Sequence, residues 1–556
     1  MTVFSAPLQQ RLVRDSRAGK GWLWFSGLFA MLACLPVLAL LFEAVQGSDG
    51  LWSHLLATTL PTALIDTTTL LLGVGVLAAG LGTSMAWLVT AYDFRGRAVL
   101  EWALLLPLAV PTYIVAYAYL DLLHPIGPIQ SAIRFVLGYS SPREFRLPDI
   151  RSMAGCIMLL GFVLYPYVYI PTRAMFLTQS ASLIEAARTL GVSRRGIFWH
   201  VALPLARPAV AVGVSLALME TLNDVGAAEF LGVRTLTVSI YTTWITRSDL
   251  PGAAQIALAL LLLVVALVSL ERWARRRQRY VSNIRRTRSF TPVSVHGLSG
   301  LLLCALASLP IIIGFVLPAS YLAVEAYKRY QFAGLSPRLI GEAINTVTLA
   351  AIASLLVLIC GLVIAYALRL FPKAAARWFF RISTMGYAAP GTVIAIGILV
   401  VAGGFDRIVN QLWASIFDAT SGLILIGSGA AVIYAYVVRF LAISAGGIDA
   451  GFERIPASLD HAARTLGRTV SETFRAIHLP LSKTAIVAAG LLVFVDCVKE
   501  LPATLLLRPL NMETFATHLY GEAARGTYEE AAIAALAIVV VGILPVILLA
   551  RVGRRL

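Results

Sequence analysis

Two pairs of acidic residues stand at helical spacing inside apolar stretches of the chain. Glu220 and Asp224 lie in METLNDVGAAEFLG, and Asp496 and Glu500 lie 276 residues later in VDCVKELPATLLLRPL. A spacing of four predicts that each pair shares one face of a helix. Carboxylates in an apolar helix are costly unless they face a polar interior or a water-filled path. The four side chains, with Lys499 beside them, are therefore candidates for lining a substrate path.

A path lined by four carboxylates selects its ligand by charge. It repels anions, which argues against sulfate, molybdate or phosphonate and for a cation. Hard cations such as Fe³⁺ prefer oxygen ligands. The alternative is a structural network in which Lys499 pairs with a neighbouring carboxylate. No metal site is firmly assigned from these residues.

The composition indicates that these residues belong to an integral membrane protein. Hydrophobic residues make up 59% of the 556 residues, charged residues 13%, and the mean hydropathy is +0.82. Soluble domains contain about 25% charged residues. Because about 20 apolar residues cross a bilayer as a helix, the sequence predicts about twelve spans. They lie near residues 22–43, 62–92, 99–123, 153–177, 202–222, 252–270, 298–324, 341–370, 382–403, 422–445, 485–505 and 530–550.

Several kinds of site are missing from the sequence. There is no GxxxxGK[ST] phosphate-binding loop, and no HExxH, GxSxG or CxxC motif. The sequence therefore predicts no ATP site on this chain and no enzyme. The cysteines lie in or against apolar runs, so we expect buried thiols; they are Cys34, Cys156, Cys304, Cys360 and Cys497.

A duplicated polar segment precedes each acidic pair. Residues 182–205, SLIEAARTLGVSRRGIFWHVALPL, and residues 458–481, SLDHAARTLGRTVSETFRAIHLPL, agree at 12 of 24 positions. We call them the first loop and the second loop. The repeat extends to LAVPTYIVAYA and YAAPGTVIAIG, which place Pro111 and Pro390 at an offset of 279. Since the segments recur in the same order, we predict two parallel six-span repeats.

The repeats divide the chain into four segments. We expect a tail at residues 1–20, a first repeat at 21–274, a basic linker at 275–296 and a second repeat at 297–556. The distribution of Lys and Arg places both loops, the linker and both termini in the cytoplasm. The arginine-rich linker is expected to contact anionic lipid head groups. Nucleic-acid binding is not expected, because too few aromatic residues are interleaved.

Each loop predicts a helix, a turn and a second helix. In the first loop, Ser182 and Glu185 form a capping box, and Gly191 ends the first helix. Ser193 can cap the second helix, and Pro204 sets the turn into the next span. Ser458 and Gly467 hold the same places in the second loop, where Thr469 and Glu472 form another capping box. Apolar residues in these loops either pack on their own span ends or are covered by a partner. Duplication favours a partner with two equivalent faces.

The pattern EAARTLG followed by Leu-Pro resembles the EAA loop of ABC importer membrane subunits, which docks into a groove of the cytoplasmic ATPase. The first loop has the full pattern, whereas the second has His461 where the family has Glu, with Asp460 one residue earlier. The residues that the resemblance assigns to ATPase coupling are Glu185, Ala186, Ala187, Gly191, Leu203, Pro204, Asp460, His461, Ala462, Ala463, Gly467, Leu479 and Pro480.

The resemblance also implies a function. The phrases ETLNDVGAAEFLGV and KELPATLLLRPL resemble ferric-iron importer permeases that carry both halves in one chain. We therefore expect an all-α permease of the type I ABC importer fold in a bacterial inner membrane, with ferric iron as substrate. Its partners would be a cytoplasmic ATPase dimer, which binds ATP and Mg, an extracytoplasmic binding protein and membrane lipid. The chain itself would bind no cofactor.

Other functions stay open at this point. Thiamine and polyamine permeases are close relatives of the ferric-iron family, so either substrate is an alternative to iron. A secondary carrier driven by an ion gradient, with the acidic pairs as ion sites, is an alternative from another class. A signalling or scaffold protein without transport is a third.

Overall fold

The computed structural model describes residues 6–47, 51–178, 187, 189–275, 292–371, 374–527 and 529–553. This part of the chain is almost entirely helical, which confirms the predicted all-α membrane fold. Its single strand pair is parallel and joins β1 (Tyr92–Asp93) to β2 (Val293–Ser294).

The helices have the following bounds in chain order: α1 (Ala6–Gln46), α2 (Leu51–His54), α3 (Leu60–Ala91), α4 (Arg97–Ala103), α5 (Thr112–Leu122), α6 (Pro128–Leu137), α7 (Met153–Thr178), α8 (Arg194–Ile197), α9 (Leu203–Asn223), α10 (Gly226–Phe230), α11 (Leu236–Arg247), α12 (Leu250–Arg275), α13 (Gly297–Ile311), α14 (Leu317–Ala333), α15 (Pro337–Leu370), α16 (Ala374–Thr384), α17 (Gly391–Phe417), α18 (Ala430–Glu453), α19 (Ala457–Thr465), α20 (Val470–Thr473), α21 (Leu479–Leu481), α22 (Lys483–Val498), α23 (Pro502–Leu507), α24 (Phe515–Arg525) and α25 (Ala532–Gly553). Turns of 3-10 helix cover Leu106–Ala109 and Met385–Ala388, and π turns cover Leu55–Thr59, Phe198–Ala202, Ile312–Val316 and Phe474–His478.

The chain forms two compact units. Unit 1 contains Met1–Ser48, Ser248–Leu258 and Ile340–Thr514, and unit 2 contains Asp49–Arg247, Ala259–Leu339 and Phe515–Leu556. The units do not follow the sequence repeats throughout, because α1 belongs to unit 1 with most of the second repeat, and α25 belongs to unit 2. The boundaries of the repeats therefore stay a prediction from sequence.

Helices occupy the positions of all the expected spans. Among the described residues, nine helices are long and apolar enough to cross a membrane, and two bent pairs raise the number to eleven. The bent pairs are Arg97–Ala109 with Thr112–Leu122, and Val470–Leu481 with Lys483–Val498. The last expected span corresponds to the shorter apolar helix Ala532–Ile547.

Each unit contains a helix that begins directly after a proline. Pro111 precedes α5 with φ −56° and ψ 145°, and Pro390 precedes α17 with φ −56° and ψ 147°. Proline fixes φ and has no amide to donate, so it suits the start of a helix. A 3-10 turn comes shortly before each proline. The matching geometry supports the repeat predicted at this offset.

A proline inside α1 is accommodated by its neighbours in unit 1. Pro36 has no amide hydrogen, so the Leu32 carbonyl loses its usual helical donor. The hydroxyl of Tyr434 in α18 donates to this carbonyl at 2.6 Å. Gly397 in α17 also lies against α1, where a Cβ would be 2.1 Å from the Pro36 oxygen. These contacts bind α1 to unit 1.

Glycines allow two long helices of each unit to pack closely. A Cβ added at Gly82 in α3 would lie 2.6 Å from the Val168 Cβ and 2.8 Å from the Tyr165 oxygen in α7. At the equivalent Gly361 in α15, a Cβ would lie 2.2 Å from the Ser444 Oγ in α18. Small residues are typical of such helix contacts in membranes.

We expect Gly82→Ala to lower the free energy of unfolding by about 1–3 kcal/mol, because the added methyl overlaps the backbone of α7. Gly80→Ala on the same helix is the matched control, since its Cβ would meet nothing within 4 Å. The control should be neutral or slightly stabilising because alanine favours the helix. Denaturant unfolding in detergent measures both, and equal stability of the two variants would contradict the close packing.

Candidate functional site

The first loop ends its first helix as the sequence predicts. Gly191 has φ +79°, and the Val192 amide donates to the Ala187 carbonyl at 3.0 Å, which is a Schellman cap. Ser193 then caps α8, because its Oγ accepts from the Gly196 amide at 3.2 Å. Ser182, Glu185 and Ala186 lie outside the described residues.

The second loop has the same turn. Gly467 has φ +74°, and the Arg468 amide donates to the Ala463 carbonyl at 3.0 Å. Thr469 and Glu472 form a capping box: the Thr469 amide donates to the Glu472 carboxylate at 2.8 Å, and the Glu472 amide donates to the Thr469 hydroxyl at 3.3 Å. Both predictions are confirmed.

The start of the second loop differs from its prediction. Helix α19 begins at Ala457, with Pro456 at the N-cap and no side-chain cap. Ser458 therefore lies inside the first turn and does not cap the helix. Proline at the preceding position already holds the backbone in an extended conformation that starts the helix.

The Leu-Pro pair of each loop follows a π turn. Pro204 comes just after the π turn Phe198–Ala202, and Pro480 just after the π turn Phe474–His478. A proline has no amide and clashes with the carbonyl four residues back, so a wider turn accommodates it. The prediction that Pro204 turns the chain into the next span is wrong, since the helix continues into α9. In the second loop, a 72° bend follows at Ser482.

The apolar residues of the loops differ in their exposure. Leu190 and Leu466, which immediately precede the turn glycines, are 83% and 82% exposed. Phe198 and Phe474 are half-buried. Packing on the loop's own unit therefore explains the phenylalanines, while the leucines are not covered by any described part of the chain.

An aromatic residue at the end of a long helix anchors each loop. In unit 2, the ring of Trp87 lies 5.4 Å from that of Phe176 and 5.3 Å from that of Phe198. In unit 1, Tyr366 lies 6.0 Å from Phe452 and 4.7 Å from Phe474. Neither anchor was predicted from the sequence, although Trp87 and Tyr366 stand at the repeat offset of 279.

Asp460 and His461 have different environments in the second loop. The Asp460 carboxylate lies 2.8 Å from Arg369 Nη2 and 2.5 Å from His478 Nε2. The His461 side chain is exposed. Asp460 therefore binds within unit 1, and its carboxylate does not take the exposed position that His461 occupies.

Asp224 does not share a helix face with Glu220, because α9 ends at Asn223 and Asp224 has ψ 126°. Its buried carboxylate accepts from the Ala228 amide at 3.0 Å and from the Thr112 hydroxyl. It therefore caps α10. Glu220 lies in the last turn of α9 and is half-buried.

Glu500 likewise lies beyond its helix, since α22 ends at Val498. Its carboxylate is 5% exposed, accepts from the Ala503 amide at 3.1 Å, and lies 3.5 Å from Arg439 Nε. The prediction of two acidic pairs on helix faces is therefore wrong in both units, because each helix ends before its second carboxylate. Arg439 was missed, although an arginine within the apolar run of α18 is itself a sign of a buried partner.

Asp496 has the structural partner that the sequence suggested. Its Oδ1 lies 2.8 Å from Lys499 Nζ, and both side chains are partly exposed. No three His, Cys, Asp or Glu side chains cluster to hold a metal ion in the described ranges. All five cysteines are free thiols, of which Cys156, Cys360 and Cys497 are buried.

Both loops and the apolar helix after each lie within segments that match a known family. The family model described as binding-protein-dependent transport system inner membrane component matches residues 78–280 and again residues 357–556, together most of the chain. The chain belongs to this family. It is a permease of the ABC importer class and a multi-pass inner membrane protein.

Individual relatives transport different substrates. The permease is 24% identical over 526 residues to the Fe(3+)-transport system permease protein FbpB 2 of Haemophilus influenzae, covering 94% of this chain and 96% of the relative. It is 27% identical over 250 residues to a probable molybdenum ABC transporter permease protein of Haloferax volcanii, covering 45% and 87%. It is 28% identical over 201 residues to the molybdenum transport system permease protein ModB of Escherichia coli, covering 35% and 84%.

We expect Arg439→Met to destabilise the permease by about 3–5 kcal/mol, because Glu500 would remain buried without its cationic partner. Arg439→Met combined with Glu500→Gln should recover much of this loss, since no unpaired charge remains. Denaturant unfolding in detergent measures the single and double variants. A single variant as stable as the unmodified permease would show that Arg439 does not stabilise Glu500.

Proposed function

We propose that this permease is the membrane subunit of an ATP-driven importer, and that its two loops dock onto a cytoplasmic ATPase dimer. The observation that carries the proposal is the pair of exposed leucines, Leu190 and Leu466, held at equivalent positions by the same glycine turn. Two equivalent apolar sites suit a partner with two equivalent faces. ATP and Mg would bind to that partner, because the sequence of this chain contains no phosphate-binding loop.

Import would follow from a shift between two packings of the spans. An extracytoplasmic binding protein would deliver the substrate, and closure of the ATPase on ATP would favour one packing over the other. The loops would transmit this closure, with Glu185 and the other matched residues of the motif at the contact. This assignment places both termini and the arginine-rich linker in the cytoplasm, the linker against anionic lipid.

Replacing both exposed leucines should detach the ATPase. Burial of one leucine contributes about 1.5–3 kcal/mol, so Leu190→Arg with Leu466→Arg should weaken association at least about 100-fold. Leu510→Arg is the control, because Leu510 is fully exposed at 102% but lies outside both loops. Co-purification of the native ATPase with the tagged permease measures association. Undiminished recovery with the double variant would refute docking through these residues.

Ferric iron is the substrate that we propose. The relative named for Fe(3+) transport matches both halves of this chain. The relatives named for molybdenum transport match less than half of it. A cationic substrate is also compatible with the acidic residues near the ends of α9 and α22. Asp224 and Glu500 are buried, whereas Glu220 and Asp496 are partly exposed, so Glu220 and Asp496 are the better candidates for contact with substrate.

Uptake in cells that lack this chain identifies the substrate. We expect deletion to abolish high-affinity uptake of labelled ferric iron, and the restored gene to recover it, with thiamine, spermidine and molybdate uptake unchanged. If deletion abolished uptake of thiamine, spermidine or molybdate and left iron uptake normal, that compound would be the substrate instead of iron. Proteoliposomes that contain only this chain provide the second arm: uptake driven by an ion gradient there would favour a secondary carrier.

A further inference from the structure

Arg369 joins three segments of unit 1 at the end of α15. Its Nη1 donates to the Phe452 carbonyl at 2.5 Å, at the end of α18. Its Nη2 donates to the Ile455 carbonyl at 3.1 Å and to the Asp460 carboxylate at 2.8 Å. One planar guanidinium therefore connects the end of α15, the end of α18 and the first helix of the second loop.

The same cluster reaches the second half of the loop through His478. Its Nε2 lies 2.5 Å from Asp460 Oδ1, and only 2% of its side chain is exposed. Its ring also lies 5.4 Å from that of Tyr366, whose hydroxyl donates to the Val470 carbonyl at 3.1 Å. All helical parts of the second loop up to the π turn are thus connected to the last turn of α15.

These contacts are of a strong and directional kind. Hydrogen bonds between a guanidinium and a carboxylate are charge-assisted, and the rigid fork of arginine fixes their geometry. The carbonyls at the end of a helix have no amide donors within the helix and carry partial negative charge. Because Arg369 is 14% exposed and Asp460 23%, water competes only partly for these bonds.

The residue types of this cluster do not recur at the equivalent positions of the first repeat. The residues equivalent to Arg369, Asp460 and His478 are Thr90, Ile184 and Ala202, at offsets of 279, 276 and 276. The Thr90 hydroxyl donates within its own helix, to the Ala86 carbonyl at 2.8 Å. Ala202 is buried and has no polar side chain. Ile184 lies outside the described residues, and isoleucine offers no hydrogen bond.

We propose that Arg369 is a positioning residue that makes the second loop move as one body with α15 and α18. Motion that the ATPase imposes on this loop then reaches the spans of unit 1, while in unit 2 Phe198 of the first loop packs on Trp87. This inference rests on the proposed function, because it assigns Arg369 a role in transmitting the motion of the ATPase to the spans. Arg369 does not touch substrate and is not expected to alter ATP binding by the partner.

The test is the number of substrate molecules imported per ATP hydrolysed, in proteoliposomes with the ATPase and the binding protein. We expect Arg369→Gln to retain ATPase binding within about twofold and to continue ATP hydrolysis, while import per ATP falls about tenfold, a usual size for coupling between sites. Arg369→Lys keeps the charge but loses the planar fork of donors. Its import per ATP should therefore lie between those of the unmodified permease and Arg369→Gln. Thr90→Val, at the equivalent position of unit 2, should leave the ratio unchanged.

Amide hydrogen exchange of the permease alone tests the attachment without the ATPase. In Arg369→Gln, the amides of residues 457–473 should exchange about tenfold faster, because local opening becomes easier, while those of α22 should not change. If Arg369→Gln does not accumulate in the membrane, Arg369→Lys takes its place in both experiments, with a smaller change in the same direction. Unchanged import per ATP together with unchanged exchange would overturn the inference. Failure of the unmodified permease to bind the ATPase would instead refute the proposed function, and the exchange rates would still decide whether Arg369 holds the loop.

Discussion

Under the proposed function, each loop must be exposed to its partner and yet firmly attached to its own unit. The structure meets both conditions with residues that are close in sequence. Leu466 is exposed at the turn of the second loop, and Phe474, eight positions later, packs on Tyr366. Leu190 and Phe198 have the same relation in the first loop, with Trp87 as the anchor. Because the aromatic anchors hold the second part of each loop on its unit, the leucine at the turn can stay exposed.

Buried carboxylates fix the ends of the helices that follow the loops. Asp224 and Glu500 each lie just past such an end, and each accepts a backbone amide at the start of the next short helix. A carboxylate inside an apolar bundle is costly unless its oxygens are satisfied, so these residues hold the break between two helices in place. Their position therefore has a structural explanation that does not require substrate.

The sequence was sufficient for features that depend on local chemistry. The spans, the glycine turns and the capping box of Thr469 follow from residue types within a few positions of each other. Contacts between residues far apart in the sequence could not be predicted in this way. Arg369 meets Asp460 only because α15 and the second loop converge, 91 residues apart. The spacing of four from Glu220 predicted that Asp224 lies on a helix face. The structure instead ends α9 at Asn223, which lets the Asp224 carboxylate cap α10.

The two units share backbone geometry more closely than side-chain chemistry. The carboxylate at each break accepts a backbone amide in both units, but its second partner is the Thr112 hydroxyl in unit 2 and Arg439 in unit 1. The position equivalent to Thr112 is Gly391, where a Cβ would lie 2.7 Å from both Arg439 Nη1 and Glu500 Oε1. Loss of the side chain there makes room for the guanidinium, so the threonine and the arginine are alternative ways to satisfy the same buried carboxylate. Duplication thus preserves where a polar group must be satisfied, while the residue that satisfies it can change.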